Sequence, residues 1–171
     1  DGEGNETLCD LSFSANLTAD GSTIIDTEIQ TRTMSELDGT EVSKTVSTYK
    51  NYPFGRVMLS EVQDPDGSAM TTTWTYFTTE GQDGYGEVSR ETYPSGMYTD
   101  YTYNADADVL TQITYTAQGA EINFLNNEYD ANGRLIKRIE PFNNSTSTQA
   151  ESDHKVTTYD YTPVIENDTL A

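Results

Sequence analysis

A chain of 171 residues suits a single domain with one core. Only 34% of it is hydrophobic and its mean hydropathy is −0.67, yet 12 residues are tyrosine, which is too aromatic and too patterned for a disordered chain. Nine Lys and Arg against 29 Asp and Glu give a formal charge of −20, which is repelled by phosphate backbones and anionic lipid. No nucleic-acid partner is therefore expected. No stretch has the apolar length of a helical span, so no membrane insertion is expected either.

In chain order, alternation of period two recurs from end to end, while helical periodicity is almost absent. Residues 9–18 open with Cys9, Leu11 and Phe13 in alternation, which makes the single thiol a small buried side chain rather than a nucleophile. Further strands are expected near 22–33, 41–50, 56–63, 69–78, 86–93, 97–104, 109–117, 120–129, 134–140 and 154–162. Within them Trp74 and Tyr76 share one face, as do Met97, Thr99, Tyr101 and Tyr103, and then Val109, Thr111, Ile113 and Tyr115. Hairpin signals separate the strands at Asp20-Gly21, Asp38-Gly39, Asp66-Gly67, Ser95-Gly96, Gln118-Gly119 and Asn132-Gly133. Each puts glycine where a tight turn needs positive φ. Residues 141–153 are polar and are expected to form a mobile surface loop inside the last hairpin. The fold class that follows is all-β: an antiparallel meander of about 11 strands built from hairpin repeats, forming a curved open sheet or partial shell.

A unit repeats along the chain. Tyr49 to Tyr76 and Tyr76 to Tyr103 are each 27 residues, Tyr103 to Tyr129 is 26, and Tyr129 to Tyr159 is 30. The best copy is Tyr129-Asp130-Ala131-Asn132-Gly133-Arg134-Leu135. The segment from Tyr103 aligns on it without a gap, placing Ala107 on Gly133 and Val109 on Leu135. A lone hairpin cannot bury its apolar face, so units must stack, with tyrosines forming cross-strand ladders. The motif carried by Tyr129, Asp130, Gly133, Arg134 and Leu135 resembles the YD repeats of the Rhs and teneurin class, over roughly residues 45–162. The resemblance implies a hairpin array coiled into a shell-like sheet, outside the cell or on the bacterial surface. Residues 1–44 match less well and are expected to be degenerate repeats or a cap, continuous with 45–171 in one domain.

Candidate chemistry is sparse. Cys9 and His154, the single thiol and the single imidazole, lie at opposite ends of the sequence. Asn104, Asp106 and Asp108 offer alternating oxygens, as a calcium loop begins, but Val109 stands where such a loop needs glycine and Tyr115 where it needs an acid. A turn is the simpler reading, and no cofactor is expected beyond that calcium alternative. Trp74, Tyr76, Tyr101 and Tyr103 are the binding candidates: exposed in a row they would stack on a glycan or a protein, and packed inward they would be core. The expected function is a non-catalytic structural or interaction module of a secreted or cell-surface protein. A carbohydrate-binding β-protein is the alternative. The partner is a protein or a glycan, and edge-strand pairing into a homodimer is open to it.

Overall fold

The computed structural model describes residues 8–15, 27–36 and 39–161. It is one antiparallel sheet of eleven strands in sequence order: β1 (Leu8–Ala15), β2 (Thr27–Ser35), β3 (Glu41–Tyr52), β4 (Gly55–Gln63), β5 (Met70–Tyr76), β6 (Val88–Thr92), β7 (Tyr98–Tyr103), β8 (Val109–Tyr115), β9 (Glu121–Tyr129), β10 (Leu135–Pro141) and β11 (His154–Thr158). β1 pairs with β2 and β11 with β10, and these two strands are the sheet's open edges among the described residues. The strand positions expected from alternation are all occupied. The differences are at ends: β2 is described from Thr27, and β11 stops at Thr158 rather than running to 162. The strands expected at 69–78 and 86–93 shorten to Met70–Tyr76 and Val88–Thr92. The turn at Asp20-Gly21 and the side chain of Cys9 lie outside the described residues.

One turn geometry recurs, and it explains the glycine spacing. In the loops starting at Glu36, Tyr93, Asn104, Thr116 and Asp130, the first residue's N–H donates to the carbonyl four residues on, and its carbonyl accepts from the N–H three residues on. The fourth residue then takes positive φ: Gly39, Gly96, Ala107, Gly119 and Gly133. This is the three-residue hairpin, a type I turn closed by a left-handed residue, which glycine fills without steric cost. Ala107 occupies it at φ 65°, so the alignment of Ala107 on Gly133 holds in three dimensions. The Asp66-Gly67 turn differs, because positive φ falls on Asp64 and Ala69 instead. There the Asp64 carboxylate accepts from the Ser68 N–H and hydroxyl, and a Cβ on Gly67 would run into that carboxylate.

Register sorts the side chains onto two faces. One, the tyrosine face, carries Tyr49, Trp74, Tyr76, Tyr101, Tyr103 and Tyr129. The other, the threonine face, carries Thr71, Thr73 and Thr75 on β5, Thr92 on β6 and Thr102 on β7, then Ile113, Phe124 and Ile139 toward β10. A single sheet has no second layer, so burial is local, and the apolar core is confined to a patch on each face. On the tyrosine face the loop of residues 77–87 lies over Tyr103, which is 8% exposed, with the Phe77 ring edge-on to it. On the threonine face Phe124 is 2% exposed, edge-on to His154, with Ile139 beside it.

The expected loop joins β10 to β11, and hydrogen bonds tie it to the sheet. Glu121 accepts from the Ser147 N–H and hydroxyl at 2.5 and 2.8 Å, and His154 Nε2 lies 3.0 Å from the Thr146 carbonyl. A 3-10 turn at Glu151–Asp153 then leads into β11. The loop is a strap fastened to β9 through Glu121 and to His154, the residue whose ring packs on Phe124.

Candidate functional site

Trp74, Tyr76, Tyr101 and Tyr103 do share one face, as alternation predicts, because Trp74 opposes Glu91 and Glu91 opposes Thr99 across consecutive strands. They are not an exposed row: Tyr103 is buried and the other three are half-buried. Their phenols are also committed. Tyr76 donates to the Met58 carbonyl at 2.7 Å and Tyr103 to that of Val88 at 2.9 Å, while Tyr101 reaches the Glu91 carboxylate. The same carboxylate accepts from Tyr93, whose hydroxyl is 3.4 Å from that of buried Thr99.

The first two of these bonds belong to a series that sequence reasoning missed. Tyr129 donates to the Val109 carbonyl and Tyr161 to that of Leu135, both at 3.0 Å. Each acceptor residue has the same place relative to a bulge. Met58, Val88, Val109 and Leu135 directly oppose Tyr49, Tyr76, Tyr103 and Tyr129, and in each pair the register slips by one residue just beyond. A bulge of this kind interrupts the ladder and bends the strand. The phenol of the following unit takes up the carbonyl beside it. Each unit is thus fastened to the one before by a tyrosine hydroxyl. The last fastening is made by Tyr161, not by Tyr159 as the 30-residue spacing suggests. Tyr159 is 38% exposed, and its contribution is a backbone bond to Ile136.

The best-matching repeat motif has a physical role at every position. Tyr129 makes the fastening, Asp130 Oδ1 accepts from the N–H groups of Asn132 and Arg134, and Gly133 supplies φ 74°. Arg134 binds the same Asp130 carboxylate and covers the Tyr161 ring at 4.8 Å, and Leu135 gives the carbonyl that Tyr161 takes. These bonds from Arg134 and the turn hold the Asp130 carboxyl below its usual range.

The proposed calcium ligands do the same work in the preceding unit. Asn104 Oδ1 accepts from the N–H groups of Asp106 and Asp108, as Asp130 does from Asn132 and Arg134, and Asn104 Nδ2 donates to Asp108. The geometry is that of a hairpin turn. Among the described residues no group of three or more His, Cys, Asp or Glu is placed to hold a metal. Cys9 and His154 sit on the two opposite edge strands, so the sheet keeps them apart.

Four phenols have their ionisation pushed the same way. Burial, with Glu91 adding to it, raises Tyr101 to about 12, and burial raises Tyr76, Tyr103 and Tyr115 as well. Between the ordinary phenol value of about 10 and these raised values the folded chain holds more protons than the unfolded one. Stability is then complete below pH ~10 and falls as pH rises toward ~12. An alkaline titration is expected to show the phenolates of Tyr76, Tyr101, Tyr103 and Tyr115 appearing only as sheet circular dichroism is lost. Ionisation of all 12 phenols while the sheet signal is intact would contradict the committed state of these four.

No family model and no curated protein matches the chain. Among solved structures, it is similar to a porin-like protein from Bacteroides uniformis, at 14% sequence identity and a TM-score of 0.35. That similarity covers 94% of this chain and 52% of the other, so the chain spans about half the length of that protein. No helix among the described residues is long and apolar enough to cross a membrane.

Proposed function

We propose that the chain is a non-catalytic structural or interaction module, a stretch of single-layer wall in a secreted or cell-surface bacterial protein of the YD-repeat type. The observation that carries this reading is the series of tyrosine hydroxyls donating to the bulge-side carbonyl of the preceding unit. Such a device serves cohesion between units. The four candidate aromatics are buried or half-buried, which takes away the exposed ring faces a glycan platform would need. The carbohydrate-binding alternative through Trp74, Tyr76, Tyr101 and Tyr103 has correspondingly less support. In the scaffold reading, function lies in what the wall encloses or displays.

The test separates the two. Tyr76→Phe, Tyr103→Phe and Tyr129→Phe each leave a carbonyl without its donor and are expected to cost about 1 kcal/mol apiece in urea denaturation. Trp74→Ala is expected to change binding to no glycan on an array. Phenylalanine variants of unchanged stability, together with a glycan signal lost in Trp74→Ala, would overturn the scaffold reading in favour of the alternative.

A further inference from the structure

On the tyrosine face of β2–β4 the sheet carries a polar groove of about 440 Å³, lined by Gln30, Arg32, Thr45, Ser47, Tyr49 and Glu61. Its origin is a matter of register. Ser47 opposes Gln30 on one side and Glu61 on the other, and Thr45 opposes Arg32 and Gln63. Two short side chains on the middle strand thus lie between long ones on both flanks. Ser47 is the floor, at 8% exposure. Tyr49 stands at one end, and it is held in place: the Arg56 guanidinium lies 3.7 Å from its ring centroid and is itself fixed by Glu28 at 2.9 Å. Glu61 is oriented on the other flank by Gln63 at 3.0 Å.

We propose that this groove is a binding site for a neutral saccharide of one or two rings. Its volume lies within the ~300–1,000 Å³ usual for small-molecule sites. It offers a carboxylate, a guanidinium, a carboxamide, two aliphatic hydroxyls and a phenol within one concavity. Sugar hydroxyls, each donor and acceptor at once, satisfy such a mixed set. Tyr49 supplies a braced aromatic ring for the apolar face of a pyranose. Charge selects the neutral class. A polyanion meets a chain of net charge −20, and Arg32 and Glu61 balance within the lining, so no net charge there draws a cation. The site does not depend on the scaffold reading, since it uses none of Trp74, Tyr76, Tyr101 and Tyr103.

The experiment is a titration of the whole ¹⁵N-labelled chain with lactose, maltose and cellobiose, with digalacturonate and the chitosan dimer as charged counterparts. At least one neutral disaccharide is expected to shift amides of β2–β4 saturably. Glu61→Ala and Gln30→Ala, both at the groove's flanks, are expected to weaken it about tenfold or more, a loss of about 1.4 kcal/mol each. Circular dichroism of the variants confirms that the sheet is intact. Saturable shifts from none of the three neutral sugars would overturn the proposal. So would shifts centred on β5–β7, binding of a charged sugar alone, or affinities unchanged in both variants.

Discussion

Phe124→Ala is expected to lower the stability of the chain by about 3–5 kcal/mol, the cost of emptying a fully enclosed aromatic site. A domain with ~5–15 kcal/mol in total has little margin for that loss. Phe124 is the largest side chain buried to 2%, and the His154 ring of β11 stands edge-on to it. Its loss removes the surface that His154 packs on, while the Glu121 to Ser147 bonds remain. The urea midpoint should fall, and amide exchange should rise first in the strap and β11. A change below ~1 kcal/mol would mean that the threonine face holds no core worth the name.

Gly84→Ala is the second large effect, and it acts on the opposite face. Gly84 has φ 73°, and a Cβ there would sit 2.7 Å from Cδ2 of Tyr103. The backbone strain alone is worth about 1–3 kcal/mol. Displacing the ring also breaks the Tyr103 bond to the Val88 carbonyl, for about 1–3 kcal/mol more. Gly81→Ala is the matched control, because Gly81 has φ 79° but nothing within 4 Å of the added carbon. Urea denaturation should show the Gly84 variant clearly less stable than the Gly81 variant. Equal losses would show that strain, not the closeness of Tyr103, decides.

Much of the sheet is legible in the sequence because its information is local. Alternation marks the strands, and a glycine or an Asx residue marks each three-residue turn. The spacing of Tyr49, Tyr76, Tyr103 and Tyr129 marks the unit. What sequence cannot supply is whatever depends on which residue faces which across strands. The bulges that follow Met58, Val88, Val109 and Leu135 leave no compositional trace, so the phenol fastenings they create go unseen. The strap looks mobile in sequence because its anchor, Glu121, lies 26 residues from Ser147. The β2–β4 groove comes from Ser47 and Thr45 standing between longer neighbours, a fact of register alone. For the aromatic candidates the face is legible and the role is not: their spacing is visible, their half-buried state and bonded hydroxyls are not.

Every substantial strand contact joins neighbours in sequence. The folding problem is therefore close to one-dimensional, since each strand pairs with the one made just before it. Among the described residues no connection is longer than the strap of residues 142–153. A meander of this kind can nucleate at whichever hairpin forms first and grow outward, one unit at a time. Its contact order is low for an all-β chain, which favours quick assembly. A chain emerging end-first from a ribosome or a narrow export channel can zip up as it appears, each new tyrosine closing on the unit already outside.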